Sequence, residues 1–163
     1  MSRSRALELE PEPGSERETV ITRLVQAPRR PVWQAFTSAE RLGRWWCPDG
    51  FRTTTSEFGL RPGGSWVHVM HGPDGTDYPN RITWREVVPP ERLTYLHGGD
   101  DGHTFESSLS LEERGGATLV TMWALFPTRA ERQLVVERYR ADEGGKQTLG
   151  RLAALCEAEA RQA

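Results

Sequence analysis

The chain has 163 residues, with 21 basic and 23 acidic side chains and a formal net charge of −2. That length suits one domain able to bury roughly 70% of its unfolded surface. The charges are interspersed without a basic block, which argues against a nucleic-acid or anionic-membrane partner.

Cys47 and Cys156 lie far apart, outside any CxxC spacing, a pattern that fits a reducing cytoplasm and gives no reason to expect a disulfide. No segment approaches the ~18 uninterrupted apolar residues of a membrane span. The opening "MSRSRALELEPEPGSERE" is charged throughout and lacks an apolar signal core. Residues 1–18 are therefore expected to be a disordered tail and 19–160 a single domain.

In chain order, "TVITRLVQ" is rich in β-branched residues and ends before Ala27-Pro28, which predicts a first strand. Val32, Trp33 and Phe36 then recur at helical spacing, and Ser38 offers an N-cap for a second short helix that carries Leu42, Trp45 and Trp46. From Phe51 to Phe126, short alternating segments are separated by "RPGG", "GPDGTD", "PPE", "GGDDG" and "RGG", predicting a meander of six antiparallel strands. Thr128, three residues ahead of Glu131, makes a capping box that opens a helix. Leu149, Leu152, Ala153 and Cys156 form one apolar stripe near its end, and Gly144-Gly145 is expected to break this helical stretch in two. Strand, two helices, six strands and long helix make an α+β pattern.

Alternation assigns the faces of the strands. Ile82 and Trp84 point inward while Arg81, Thr83 and Arg85 point out, and Phe105, Leu109 and Leu111 oppose Thr104, Glu106 and Ser110. In "SWVHVMH" both faces carry apolar residues, so Trp66, His68 and Met70 form one candidate inner set and Val67, Val69 and His71 the other. Tyr95 and His97 side with Leu93, and Val120 with Met122. The inner sets thus mix large aromatics with hydrogen-bonding groups (Trp66, His68, Trp84, Glu86, Tyr95, His97 and Ser107), which is the composition of a small-molecule pocket. Taken singly, each polar group also fits a satisfied core or rim position.

Six segments, "APRRPVWQAFT", "RWWCPDGF", "PGGSW", "MHGPDG", "YPNRITWREVVPPERL" and "EGGKQTLGRL", together resemble the START-like (SRPBCC) superfamily, in its branch of homologues of activators of the Hsp-90 ATPase. The resemblance runs from Thr19 to about Glu157. It implies a helix-grip (Bet v-like) fold: a curved antiparallel sheet of about seven strands wrapped on a long C-terminal helix, with a cavity between them. It also implies a range of functions, from binding of lipids, sterols and polyketides to cyclase, hydrolase and co-chaperone activity, and fold alone does not choose among these.

The chemistry in the sequence is sparse. Cys47 follows the C-terminal end of a short helix, where the dipole disfavours a thiolate, so it reads as an apolar filler. His68 and His71 have HxxH spacing, but on a strand they point to opposite faces and do not chelate. His97 and His103 flank the "GGDDG" loop without a third ligand. No metal and no cofactor is expected, and no catalytic residue is assigned. The expected function is binding of a small, mostly apolar ligand by Trp45, Trp46, Trp66, His68, Met70, Ile82, Trp84, Tyr95, His97, Phe105, Ser107, Met122 and Leu149. Alternatives are co-regulation of a chaperone ATPase through protein contact, and cyclase- or hydrolase-like catalysis on an apolar substrate. Exposed aromatic area is also compatible with a homodimer.

Overall fold

The stiff β-branched run Thr19–Thr22 is extended in β1 (Glu18–Val25), in a computed structural model that describes residues 16–99 and 104–162. Pro28 then supplies the extended residue that precedes α1 (Arg29–Gln34). Ser38 caps α2 (Ala39–Trp45) as expected, its Oγ accepting from the Arg41 N–H at 3.2 Å. Six strands follow: β2 (Arg52–Phe58), β3 (Ser65–His71), β4 (Asp77–Val88), β5 (Arg92–Gly99), β6 (Thr104–Arg114) and β7 (Ala117–Leu125). Thr128 caps α3 (Arg129–Tyr139) by accepting from the Glu131 N–H at 3.0 Å, and α4 (Ala141–Gln162) closes the chain.

The strands form one curved antiparallel sheet in the order β1-β7-β6-β5-β4-β3-β2. The hairpins of the meander explain the run from β7 to β2, while β1 pairs with β7 across a long sequence separation, Val20 opposite Trp123 and Leu24 opposite Leu119. The α1–α2 excursion carries the chain from one sheet edge to the other. The stripe Leu149, Leu152, Ala153 and Cys156 is buried to 1% exposure or less, and α4 packs against β1 and α2. The architecture is the helix-grip fold expected from the sequence.

Two local expectations are corrected. The helical stretch does not break at Gly144-Gly145. It breaks at Arg140, which adopts a left-handed conformation with φ 54° and ends α3. The two glycines lie inside α4 for steric reasons: a Cβ at Gly145 would collide with Cδ1 of Ile21, and one at Gly144 would lie 3.3 Å from Cγ of Pro48. They let the helix backbone sit close to β1 and to the turn after α2. The second correction concerns Glu86. The pairing of β4 with β5 slips between Trp84 and Glu86, so the alternation that buries Ile82 and Trp84 is broken and Glu86 is exposed beside Arg92 and Thr94.

Candidate functional site: an aromatic wall and a charged hollow

The inward-pointing side chains of β3, β4, β5 and β6 converge with α2 on one aromatic wall. Trp46, at the end of α2, meets Trp66 of β3 edge-on with ring centroids 5.2 Å apart, and Tyr95 of β5 at 6.1 Å. Trp84 of β4 meets Tyr95 at 5.5 Å. His68 lies flat on Trp66 at 3.8 Å, and His97 faces Phe105 at 4.7 Å. These contacts arise because the antiparallel register sets Tyr95 opposite both Trp84 and Ser107.

The expected site residues fall into two groups. Trp45, Trp46, Trp66, His68, Ile82, Trp84, Tyr95, Ser107 and Leu149 are buried. Met70, His97, Phe105 and Met122 are half-buried. Both tryptophans of "RWWCPDGF" lie inside, and they do different things. Trp45 donates its indole N–H to the Ala35 carbonyl at 3.0 Å and joins α2 to the end of α1, whereas Trp46 belongs to the wall. Leu149 presses on the same core from α4.

Polar groups on this wall are unevenly satisfied. His97 Nε2 lies 2.9 Å from Asn80 Oδ1, while the Asn80 amide donates to the Tyr78 carbonyl at 2.9 Å. With the amide so oriented, the oxygen is the acceptor and His97 carries its proton on Nε2. Trp66 donates to the Thr55 hydroxyl at 3.0 Å. By contrast, both ring nitrogens of His68 and the indole nitrogen of Trp84 are buried with no hydrogen-bond partner among the described residues. Burial holds the pKa of His68 down to about 3, helped by repulsion from a proton on His97 and opposed by the nearby Trp66 backbone, and burial holds His97 down to about 4. Near neutral pH both rings are uncharged. Burial also raises the Tyr95 phenol, against a side-chain hydrogen bond with Ser107, so it stays a neutral donor.

The two cysteines are enclosed. Cys156 sits in the apolar stripe of α4, its thiol pushed up to about 12 by burial and by the charge of Glu159. Cys47 is buried in the turn after α2, where Arg151 of α4 donates to its Sγ at 2.7 Å and its carbonyl at 3.1 Å. Arg151 also reaches the carbonyls of Arg44, Pro48 and Phe51. One guanidinium thus caps the C-terminal end of α2 and ties the Pro-Asp-Gly turn to α4.

Against that same turn lies a hollow of about 450 Å³ lined by Arg23, Asp49, Lys146, Gln147, Gly150, Arg151 and Ala154. None of the thirteen expected site residues lines it. Its walls come from three distant segments, so neither spacing nor alternation could have announced it.

A third cluster was also missed in sequence. His71 points to the sheet face opposite His68. Its Nε2 lies 2.8 Å from the Thr54 hydroxyl and its Nδ1 2.7 Å from an Asp77 carboxylate oxygen. The three residues come from the neighbouring strands β2, β3 and β4: His71 is opposite Asp77, and Thr54, opposite Val69, reaches His71 diagonally. His103, considered with His97 as a pair, lies outside the described residues. Among the described residues, no group of three or more His, Cys, Asp or Glu is placed to hold a metal ion.

This curved sheet gripping α4 defines a START-like, helix-grip protein. Residues 26–157 match the family described as activator of Hsp90 ATPase homolog 1-like proteins, and the chain belongs to that family. Among solved structures it is similar to protein NE0264 from Nitrosomonas europaea, with 25% identity and a TM-score of 0.80 over 89% of this chain and 97% of that one. It is similar to protein Ms6760 from Mycobacterium smegmatis, with 23% identity and a TM-score of 0.80 over 90% and 94% of the two chains. A third is DynU16, a putative protein in the dynemicin biosynthetic locus, with 21% identity and a TM-score of 0.68 over 88% of this chain and 48% of that one. No curated protein matches the chain. No helix among the described residues is long and apolar enough to cross a membrane.

Proposed function

We propose that the protein binds a small, mostly apolar molecule carrying one hydrogen-bonding group, held between the sheet and α4. The observation that carries this reading is His68: an imidazole buried to 1% exposure, with neither nitrogen in a side-chain hydrogen bond among the described residues, set in an aromatic wall. Leaving a buried polar group unpaired costs about 1–3 kcal/mol, and apolar residues of similar shape avoid that cost. A ligand polar group beside His68 recovers it. Because His68 is neutral near pH 7, it offers one donor and one acceptor, and so suits a hydroxyl or carbonyl better than an ionised group. Trp46, Trp66, Trp84 and Tyr95 supply the apolar contact area. Half-buried Met70, His97, Phe105 and Met122 mark the side of the wall from which a ligand enters. The domain extends over residues 19–160 in this reading, which fits the span of the family match.

Indole emission and thermal stability measured against fatty acids, sterols and aromatic polyketides test the proposal. A true ligand at a hundred times its Kd adds ~2.7 kcal/mol and shifts the emission of the wall tryptophans. Silence across that panel, together with an experimental structure showing the interior filled by side chains, removes it.

Hydrolysis is a second reading, favoured by the relay Thr54–His71–Asp77, in which a hydroxyl, an imidazole and a carboxylate are hydrogen-bonded in series. Turnover of a p-nitrophenyl ester that disappears in both Thr54→Ala and His71→Ala supports it. Equal rates in the parent and both variants exclude it. Control of a chaperone ATPase draws on the family's name, and an ATPase assay with the chaperone of the same cell decides that point.

A further inference from the structure

Gly145 and Gly150 both interrupt the interior of α4, yet their surroundings differ. At Gly145 a side chain would strike Ile21, so packing accounts for the glycine. At Gly150 a Cβ would meet only Nη1 of Arg23, at an ordinary contact distance of 3.6 Å. A glycine inside a helix lowers stability relative to alanine, and here no protein neighbour requires it. Gly150, with the Arg23 guanidinium over it, lines the 450 Å³ hollow, whose size falls within the range of small-molecule sites, roughly 300–1,000 Å³.

The charges around that space have one sign in excess. Arg23 of β1 and Lys146 of α4 enter from facing elements, and neither makes an ion pair or hydrogen bond with the described residues. Arg151 is committed to the carbonyls of the turn after α2. Asp49 is the one carboxylate in the lining, and its backbone N–H is taken by Gln147 Oε1 at 3.0 Å. Two unpaired cations thus face a hollow in a chain whose net charge is −2. Like charges held near one another repel, and an anion between them reverses the sign of that interaction.

We infer that this hollow is a second binding site, for a compact organic anion whose carboxylate or phosphate oxygens lie between Arg23 and Lys146 and whose body rests on Gly150 and Ala154. The fork of Arg23 suits two oxygens of one anionic group, and Lys146 adds a mobile point charge. The site is independent of the aromatic wall. Leu149, Leu152, Ala153 and Cys156 face the core, whereas Lys146, Gln147, Gly150, Arg151 and Ala154 lie on a different face of α4.

The test follows amide resonances of the full chain during titration with benzoate, phenyl phosphate and, as the uncharged control, benzyl alcohol. Saturable shifts at Gly150 and Ala154 with either anion, and none with the alcohol, are expected. The anion that binds more tightly identifies the preferred oxyanion. Affinity falls as salt rises. The double variant R23Q/K146Q weakens binding by roughly three- to twentyfold, because each exposed charge contributes up to about a fivefold factor. Gly150→Leu retains every charge, suits a helix and fills the space, so binding is lost while the melting temperature is kept or raised. The inference is overturned if no anion saturates, if benzyl alcohol binds equally well, or if R23Q/K146Q and Gly150→Leu, both folded by circular dichroism, bind as the parent does. Indole emission separates this outcome from that of the wall, since none of the tryptophans lines the hollow.

Discussion

The aromatic wall and the charged hollow are both built around α4, and they differ in what they leave unsatisfied. In the wall, large side chains pack ring against ring, and the groups left without a partner among the described residues are neutral: the nitrogens of His68 and Trp84. The hollow is open, bordered by flexible cations, and its unmet quantity is charge. A buried neutral donor seeks one hydrogen bond at a fixed place, whereas an exposed cation seeks an anion within a few ångströms. The first arrangement gives selectivity for shape, and the second gives affinity that depends on salt.

The largest effect expected on this comparison comes from Trp66→Ala. It removes a fully buried indole that touches Trp46, Phe58 and His68, and should destabilise the protein by about 3–5 kcal/mol in urea unfolding while leaving anion titration of the hollow intact in what stays folded. A loss below about 1 kcal/mol would mean that the wall is not packed as described.

Acid comes next. His68 takes up a proton below pH 6.5 when unfolded but only near pH 3 when folded, so the unfolded state binds more protons in between. Stability is therefore full above pH 6.5 and falls as the pH drops toward 3, at ~1.4 kcal/mol per pH unit from His68 alone. His97, held down to about 4, adds to the slope in the same direction. Unfolding measured from pH 7 to pH 4.5 should be shallower in His68→Phe. That variant should also be more stable than the parent at pH 7, by about 1–2 kcal/mol, because it removes two orphaned nitrogens without emptying the space. A less stable His68→Phe would show that the ring is satisfied where it lies.

Smaller still is the contrast between two glycines of one helix. Gly145→Ala should destabilise, since the new methyl group meets Ile21, and Gly150→Ala should stabilise by about 0.5–1 kcal/mol. Thermal melts of the pair read both signs at once, and equal signs would break the distinction between a packing glycine and a space-keeping one. Thr128→Ala, which removes the cap of α3, should cost about 1 kcal/mol.

Local chemistry set the element order, because the punctuation of the meander, the caps at Ser38 and Thr128 and the stripe of α4 all act within a few residues. The inward faces of β6 and of β4 as far as Trp84 followed from alternation for the same reason, while β3, apolar on both faces, left two candidate sets open. Glu86 escaped that logic because a slip in pairing with β5 is a property of two strands together. The helix break escaped it because Gly144 and Gly145 read as flexible until Pro48 and Ile21 are seen against them, while Arg140 carries no residue-type signal for a left-handed backbone. His68 belonged to one of two candidate inner sets of its own strand, and its lack of partners among the described residues depends on what β2, β4 and α2 place around it. Arg23 and Asp49 each lie more than 100 residues from Gly150, and only the packing of α4 on β1 and on the turn after α2 makes the three neighbours. The sequence by itself determined the order of the elements and the inward faces of β6 and of β4 as far as Trp84, since these rest on periodicity and short-range bonds. Tertiary structure alone decided which polar groups are left without partners and where the hollow lies, because both depend on contacts between segments distant in sequence.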